Sequence, residues 1–237
     1  MTNHRRKKND KQAFRILIRF SAILLVLFLS VTLIQVASLR FVNPPFTMKL
    51  VWDYFDHLIK SKPYQQPTFI WRPLESISPH LRRAVLAAED QRFLQHHGFD
   101  MAEIRKAAKE ILKEQRIRGA STISMQTART VYLLPERSLV RKALEAYYTA
   151  LIELLWNKKR ILEVYLNTVD WGTGIMGAEA ASMAYFQKHS DKLTAKQSAL
   201  LAAILPNPHR FSPVKPTNYI RARVKRILAD TNLMPLI

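Results

Sequence analysis

Residues 138–167 read SLVRKALEAYYTALIELLWNKKRILEVYLN. From Ser138 onward, apolar residues recur at helical spacing with charged residues between them, the pattern of a long amphipathic helix. A break in it is expected near Asn157. The flanking segments behave the same way. SPHLRRAVLAAEDQRFL starts at Ser78 with Pro79 just inside a capping serine, followed by Leu81, Val85, Leu86 and Phe93. DMAEIRKAAKEILKEQR opens on Asp100 with Glu103 three residues on, a capping-box spacing. TAKQSALLAAIL begins at Thr194 and ends before Pro206, and a last helix is expected near 218–232. Sustained alternation and Asn-Gly hairpin signals are missing, so strands have almost no signature. The expectation is one mainly α domain over 70–237.

The N-terminal region is different. No charge occurs between Arg19 and Arg40, and residues 20–39 read FSAILLVLFLSVTLIQVASL. Twenty helical residues span about 30 Å, the thickness of a bilayer core. A tail over 1–19 holds Arg5, Arg6, Lys7, Lys8, Lys11, Arg15 and Arg19 against Asp10 alone. That asymmetry places the N-terminus in the cytoplasm and the body on the far side of the membrane. A cleaved signal peptide is the rival, but its apolar region is usually shorter and QVAS is a poor cleavage site. NPPF at 43–46 ends the span, and Pro63, Pro67 and Pro73 punctuate a juxtamembrane segment over 40–69 with a short helix near 47–61.

The chain is 237 residues with a formal net charge of +19, 48% hydrophobic residues and no cysteine. It is therefore neither a disordered chain nor a disulfide scaffold nor a thiol enzyme. The basic body calls for an anionic partner. A tether outside the membrane favours lipid phosphates over nucleic acid.

Three stretches carry candidate chemistry. In EDQRFLQHHG (89–98), read as a helix, Glu89, Phe93 and His96 share one face and Gly98 stops the helix. A carboxylate on an otherwise apolar face has its pKa raised by burial, which tunes a general base. The structural alternative is a helix-end acid paired with Arg92. In GASTISMQTAR (119–129), Gly119 permits close backbone approach, and Ser121 and Thr122 sit at a helix start, where unpaired N–H groups bind anions. Gln126 and Arg129 follow on the next turn. In ERSLVRKALE (136–145), Arg137, Arg141 and Glu145 are spaced on one face, with Lys142 three residues before Glu145. Alone, that pattern reads equally as surface ion pairs.

Together, in order and spacing, these stretches resemble the peptidoglycan glycosyltransferase family. E-D-x-x-F-x-x-H-x-G is matched by Glu89, Asp90, Phe93, His96 and Gly98. G-x-S-T-I-x-Q-Q is met by Gly119, Ser121, Thr122, Ile123 and Gln126, with Met125 in place of the first of the paired glutamines. R-K-x-x-E is Arg141, Lys142 and Glu145. K-x-x-I-L-E-x-Y-L-N runs complete from Lys158 to Asn167. A looser arginine-rich fifth motif is Arg223, Arg226, Ile227 and Leu228. Arg129 stands where lysine is common, and Thr130 where asparagine is usual.

The resemblance implies a lysozyme-like, mainly α large lobe beside a small membrane-associated lobe. It implies polymerisation of lipid II onto a growing lipid-linked glycan strand, with inversion at the anomeric carbon and release of polyprenyl pyrophosphate. Glu89 would be the base. Glu145 would be the second catalytic carboxylate, either orienting cations or holding a divalent metal, Mg2+ or Mn2+. No organic cofactor is implied. Asp90, Phe93, His96, Gly119, Ser121, Thr122, Gln126, Arg129, Arg137, Arg141 and Lys142 would line the substrate site. The expected setting is the bacterial inner membrane, single-pass, with cell-wall synthesis proteins as further partners. With nothing after residue 237, no transpeptidase activity is expected. A lytic lysozyme-like enzyme and a catalytically silent scaffold remain alternatives.

Overall fold

A computed structural model of the chain describes residues 2–60, 67–114, 121–136 and 138–237. It divides into two units, 1–42 and 43–237.

The first unit is one helix, α1 (Thr2–Leu39). Its apolar part, Phe14–Leu39, is 26 residues long, about 39 Å at helical rise. Large side chains along it, from Phe14 to Ile34, are exposed. Length and composition suit a single membrane crossing, with room for tilt.

The second unit is mainly α. Its helices are α2 (Met48–Lys60), α3 (Pro79–Glu89), α4 (Met101–Glu114), α5 (Ile123–Tyr132), α6 (Leu139–Leu155), α7 (Lys158–Thr168), α8 (Ala178–Phe186), α9 (Ala195–Ile204) and α10 (Asn218–Thr231). The starts read at Ser78, Ser138 and Thr194 are set by capping side chains: Ser78 accepts from His80 N, Ser138 from Arg141 N, and Thr194 closes a full capping box with Gln197. The last helix, placed near 218 by the sequence, is capped by Thr217, which accepts from Ile220 N. The break near Asn157 is present: α6 ends at Leu155, and the Asn157 side chain caps α7 through Arg160 N at 2.8 Å.

Three differences stand out. The unit begins at Asn43 rather than near residue 70, because α2 packs on α5 and the strand at 68–69 pairs into the body. A small sheet exists that the sequence did not announce. Strands β1 (Thr68–Phe69), β2 (Asp170–Gly172) and β3 (Ile175–Met176) lie in the order β1-β3-β2, parallel on one side and antiparallel on the other. Strands of two or three residues are too short to show a period. Finally, α3 stops at Glu89 instead of running on through Phe93. Asp90 leaves the helix with φ −160° and ψ 75°, and residues 91–95 are turns.

Two groups of helices form the core. In one, α3, α9 and α10 pack through Leu81, Val85, Leu201, Ile204, Ile220 and Ile227. In the other, α5 packs on α6 and α7 through Ile123, Ile152, Ile161 and Leu162. Tyr132 of α5 stacks on Tyr148 of α6 at 4.5 Å between centroids and 4° between planes. Residues drawn from both groups meet at the C-terminal end of α3.

Candidate active site

Glu89 is the last residue of α3, with its side chain 13% exposed. Gln126 Nε2, from α5, donates to its Oε2 at 3.1 Å, and Arg223 Nη2, from α10, donates to its Oε1 at 3.1 Å. Burial raises the carboxyl's pKa above the usual range. The bonds and charges of Gln126, Arg223 and Arg129 offset this in part, while Asp90 adds to the rise. The result is a carboxylate that binds a proton more readily than a solvated one, as a base acting on an alcohol requires.

Asp90 lies one residue further on, and its partners are internal. Its Oδ2 accepts from Ile123 N at 3.0 Å, and His96 Nε2–H donates to the same carboxylate at 2.9 and 3.1 Å. Phe93 is fully buried, edge-on to the His96 ring, with the Lys158 ammonium 4.5 Å from its centroid. Glu89, Phe93 and His96 therefore do not share a helix face. Phe93 and His96 sit in the turn that folds back after Asp90. That turn ends at Gly98, which has φ +88°. A Cβ there would lie 2.7 Å from Thr149 Cγ2 on α6, so only glycine lets the loop lie this close.

The N-terminus of α5, expected to bind a ligand anion, is already occupied by one of the protein's own. Asp90 takes the N–H of Ile123, while Thr122 takes that of Met125 at 3.2 Å and donates its hydroxyl to Gly98 O at 2.6 Å. Thr122 is buried and Ser121 is partly exposed. Met125 is 6% exposed and packs into the core, which explains why an apolar residue is tolerated there. Gly119 and Arg137 lie outside the described residues.

Arg129, half-buried on α5, acts electrostatically on both Glu89 and Tyr165. Among the described residues no hydrogen bond or ion pair engages its guanidinium, while its carbonyl accepts from Leu133 N at 3.1 Å. On α6, Glu145 is fully buried, with Arg141 Nη1 and Lys142 Nζ each 2.5 Å from one of its oxygens. Both oxygens are thus engaged by the protein's own cations, the arrangement expected of an acid that orients them. Among the described residues no group of three His, Asp or Glu side chains could hold a metal ion. An exposed surface pair is also excluded, because the acid is buried while Lys142 is half in solvent.

Two members of the site were not among the candidates. Tyr165, 1% exposed on α7, donates from its hydroxyl to Gln126 Oε1 at 3.2 Å. Arg223 reaches Glu89 from α10, across 134 positions of sequence. Each had a trace in the sequence, Tyr165 within the complete fourth motif and Arg223 opening the loose fifth, but nothing local pointed either one at Glu89.

The sequence profile described as Transglycosylase matches residues 56–232. Curated proteins named "Biosynthetic peptidoglycan transglycosylase" are similar over most of their length. The one from Bacteroides thetaiotaomicron is 46% identical over 92% of this chain and 88% of its own. That from Caulobacter vibrioides is 46% identical over 86% and 88%, and that from Aeromonas hydrophila 46% over 89% and 88%.

Proposed function

The chain belongs to the transglycosylase family, and on that footing we propose that it polymerises lipid II into peptidoglycan glycan strands. The carrying observation is Glu89, a buried carboxylate with a raised pKa and one donor on each oxygen, at the meeting point of the two helix groups.

The reaction is a single displacement. The 4-hydroxyl of the incoming lipid II disaccharide loses its proton to Glu89 as its oxygen bonds to the anomeric carbon of the lipid-linked strand. The bond from that carbon to the pyrophosphate breaks, the configuration inverts to β, and polyprenyl pyrophosphate leaves with the electron pair. General-base assistance contributes about 10²–10⁴-fold. The leaving anion needs positive charge rather than a proton. Arg129 supplies it beside the base, and Arg141 and Lys142 supply it from α6, with Arg137 as a further cation of the same segment. Glu145 orients Arg141 and Lys142. Any divalent cation enters with the pyrophosphate rather than on a protein site. Asp90, Phe93, His96 and Thr122 act by holding the loop that carries Gly98 and the start of α5.

Helix α1 anchors the enzyme in the bacterial inner membrane with its basic tail in the cytoplasm. Both substrates are lipids, so the tether raises their effective concentration. Cell-wall synthesis proteins in the same membrane are the expected partners, and the chain does this work without a transpeptidase activity.

The test is lipid II polymerisation by the purified full-length chain beside Glu89→Gln. Wild type forms glycan strands, and the variant, of equal volume but unable to accept the proton, is slower by at least about 10²-fold with unchanged folding. A folded wild type that leaves lipid II untouched refutes the proposal.

A further inference from the structure

Glu89 is held from two sides by residues that have different supports. On one side, Tyr165 Oη–H donates to Gln126 Oε1 at 3.2 Å, and Gln126 Nε2 donates to Glu89 Oε2 at 3.1 Å. On the other, a single nitrogen, Arg223 Nη2, donates to both Glu89 Oε1 at 3.1 Å and the carbonyl of Ala88 at 3.2 Å. We infer that Tyr165, acting through Gln126, and Arg223 are positioning residues that clamp the Glu89 carboxylate in one orientation as the proton acceptor. This rests on Glu89 being the base, as proposed above.

The Tyr165 side works by fixing an amide. A glutamine side chain has an acceptor end and a donor end of nearly the same shape. With its oxygen turned toward Glu89, Gln126 would face a carboxylate with another acceptor. A phenol donating to Oε1 makes the other orientation the stable one. Tyr165 suits that task because burial, and next the charge of Glu89, hold its pKa well above the usual value, so its proton stays on. At 1% exposed, Tyr165 has no surface to offer a substrate.

The Arg223 side works by tying the carboxylate to the end of its own helix. Ile220, Val224 and Ile227 bury α10 against α3 and α9, which sets where the guanidinium points. Because Nη2 bridges Ala88 O and Glu89 Oε1, movement of the carboxylate would break a bond to the helix end as well. The charged groups acting on Glu89 are Arg223 from α10, Arg129 from α5 and the adjacent Asp90. Helix α9, also packed on α3, carries only the exposed Lys196. Donors on both oxygens favour the ionised form, so the clamp fixes geometry and opposes the effect of burial at once. It closes across the two helix groups, which makes the base sensitive to their packing.

Two measurements on the full-length protein test this. The first is the titration of the Glu89 carboxylate, followed by infrared spectroscopy and assigned by its loss in Glu89→Gln. It needs no turnover. In Tyr165→Phe and in Arg223→Gln the midpoint moves to higher pH, and an unmoved midpoint in Tyr165→Phe overturns the clamp. The second is the pH profile of polymerisation. In both variants kcat falls by roughly tenfold or more, KM for lipid II stays near wild type, and the acid limb moves to higher pH. Wild-type kcat and limb in Tyr165→Phe also overturn it. Should Arg223→Gln fail to fold, Arg223→Lys replaces it. The retained cation keeps the limb near wild type while the lost bridge to Ala88 lowers kcat, and an undiminished kcat there counts against the clamp. A protein that shows the shifted titration but no polymerisation keeps the clamp and removes the proposed function instead.

Discussion

Asp90 Oδ2 accepts the backbone N–H of Ile123 at 3.0 Å, so the residue after the candidate base caps the helix that carries Gln126 and Arg129. One carboxylate thereby sets the distance between α3 and α5, and His96 holds it from the other side. The base and the groups that surround it are placed by a neighbour whose own hydrogen bonds are internal.

Asp90→Ala should therefore destabilise the fold. It strips acceptors from two buried donors, Ile123 N–H and His96 Nε2–H, at a cost of about 2–4 kcal/mol. Chemical denaturation of wild type and variant measures the difference. A change within about 0.5 kcal/mol would show that the cap is not needed.

Acid should weaken the protein through Glu179. This carboxylate is 2% exposed, and burial alone would raise its pKa. Hydrogen bonds from Arg72, His189 and both the side chain and backbone of Ser190 outweigh that and bring it down to about 2, from an ordinary 4.5. A depressed folded-state pKa stabilises the native state above the unfolded value and loses that contribution as pH falls toward the folded one. The contribution is on the order of 3 kcal/mol. It should be complete above about pH 5 and gone near pH 2. In Glu179→Gln, denaturation midpoints should differ most from wild type near neutrality and converge on acidification. A gap that stays constant with pH would contradict this.

Glu145→Gln should lower polymerisation without abolishing its response to magnesium. On the reading that Glu145 orients Arg141 and Lys142 and that any divalent cation arrives with the pyrophosphate, the variant loses the first role and keeps the second. Stability should drop by about 1–3 kcal/mol, moderated because Arg141 and Lys142 reach solvent. Magnesium titration of wild type and variant in the polymerisation assay distinguishes the roles. A variant that no longer responds to magnesium would make Glu145 a metal ligand after all.

Protease added to spheroplasts should digest residues beyond α1 while sparing the basic tail. The uncharged run to Leu39 and the cluster of Arg and Lys before it set that direction. A body protected until the membrane is broken would reverse the topology.

Much of this protein is written locally. Ser78, Ser138, Asn157, Thr194 and Thr217 mark helix starts because a side-chain oxygen next to unpaired N–H groups acts over three residues. The apolar run before Arg40 declares itself by length alone. Motif order pointed to Glu89, Glu145 and their cations as candidates. What lay beyond local reading depended on contacts between distant segments. Asp90 ends α3 early because its carboxylate is drawn to Ile123 and His96, a pull that overrides the helical pattern continuing to Phe93. Gly98 looked like a helix stop, yet it is needed because α6 lies 2.7 Å from where a Cβ would stand. Tyr165 and Arg223 reach the base only once two groups of helices have packed, since their positions depend on burial summed over whole faces rather than on any neighbouring residue. Periodicity and spacing carry short-range propensity, whereas the final partner of a buried polar group is chosen by which faces come together.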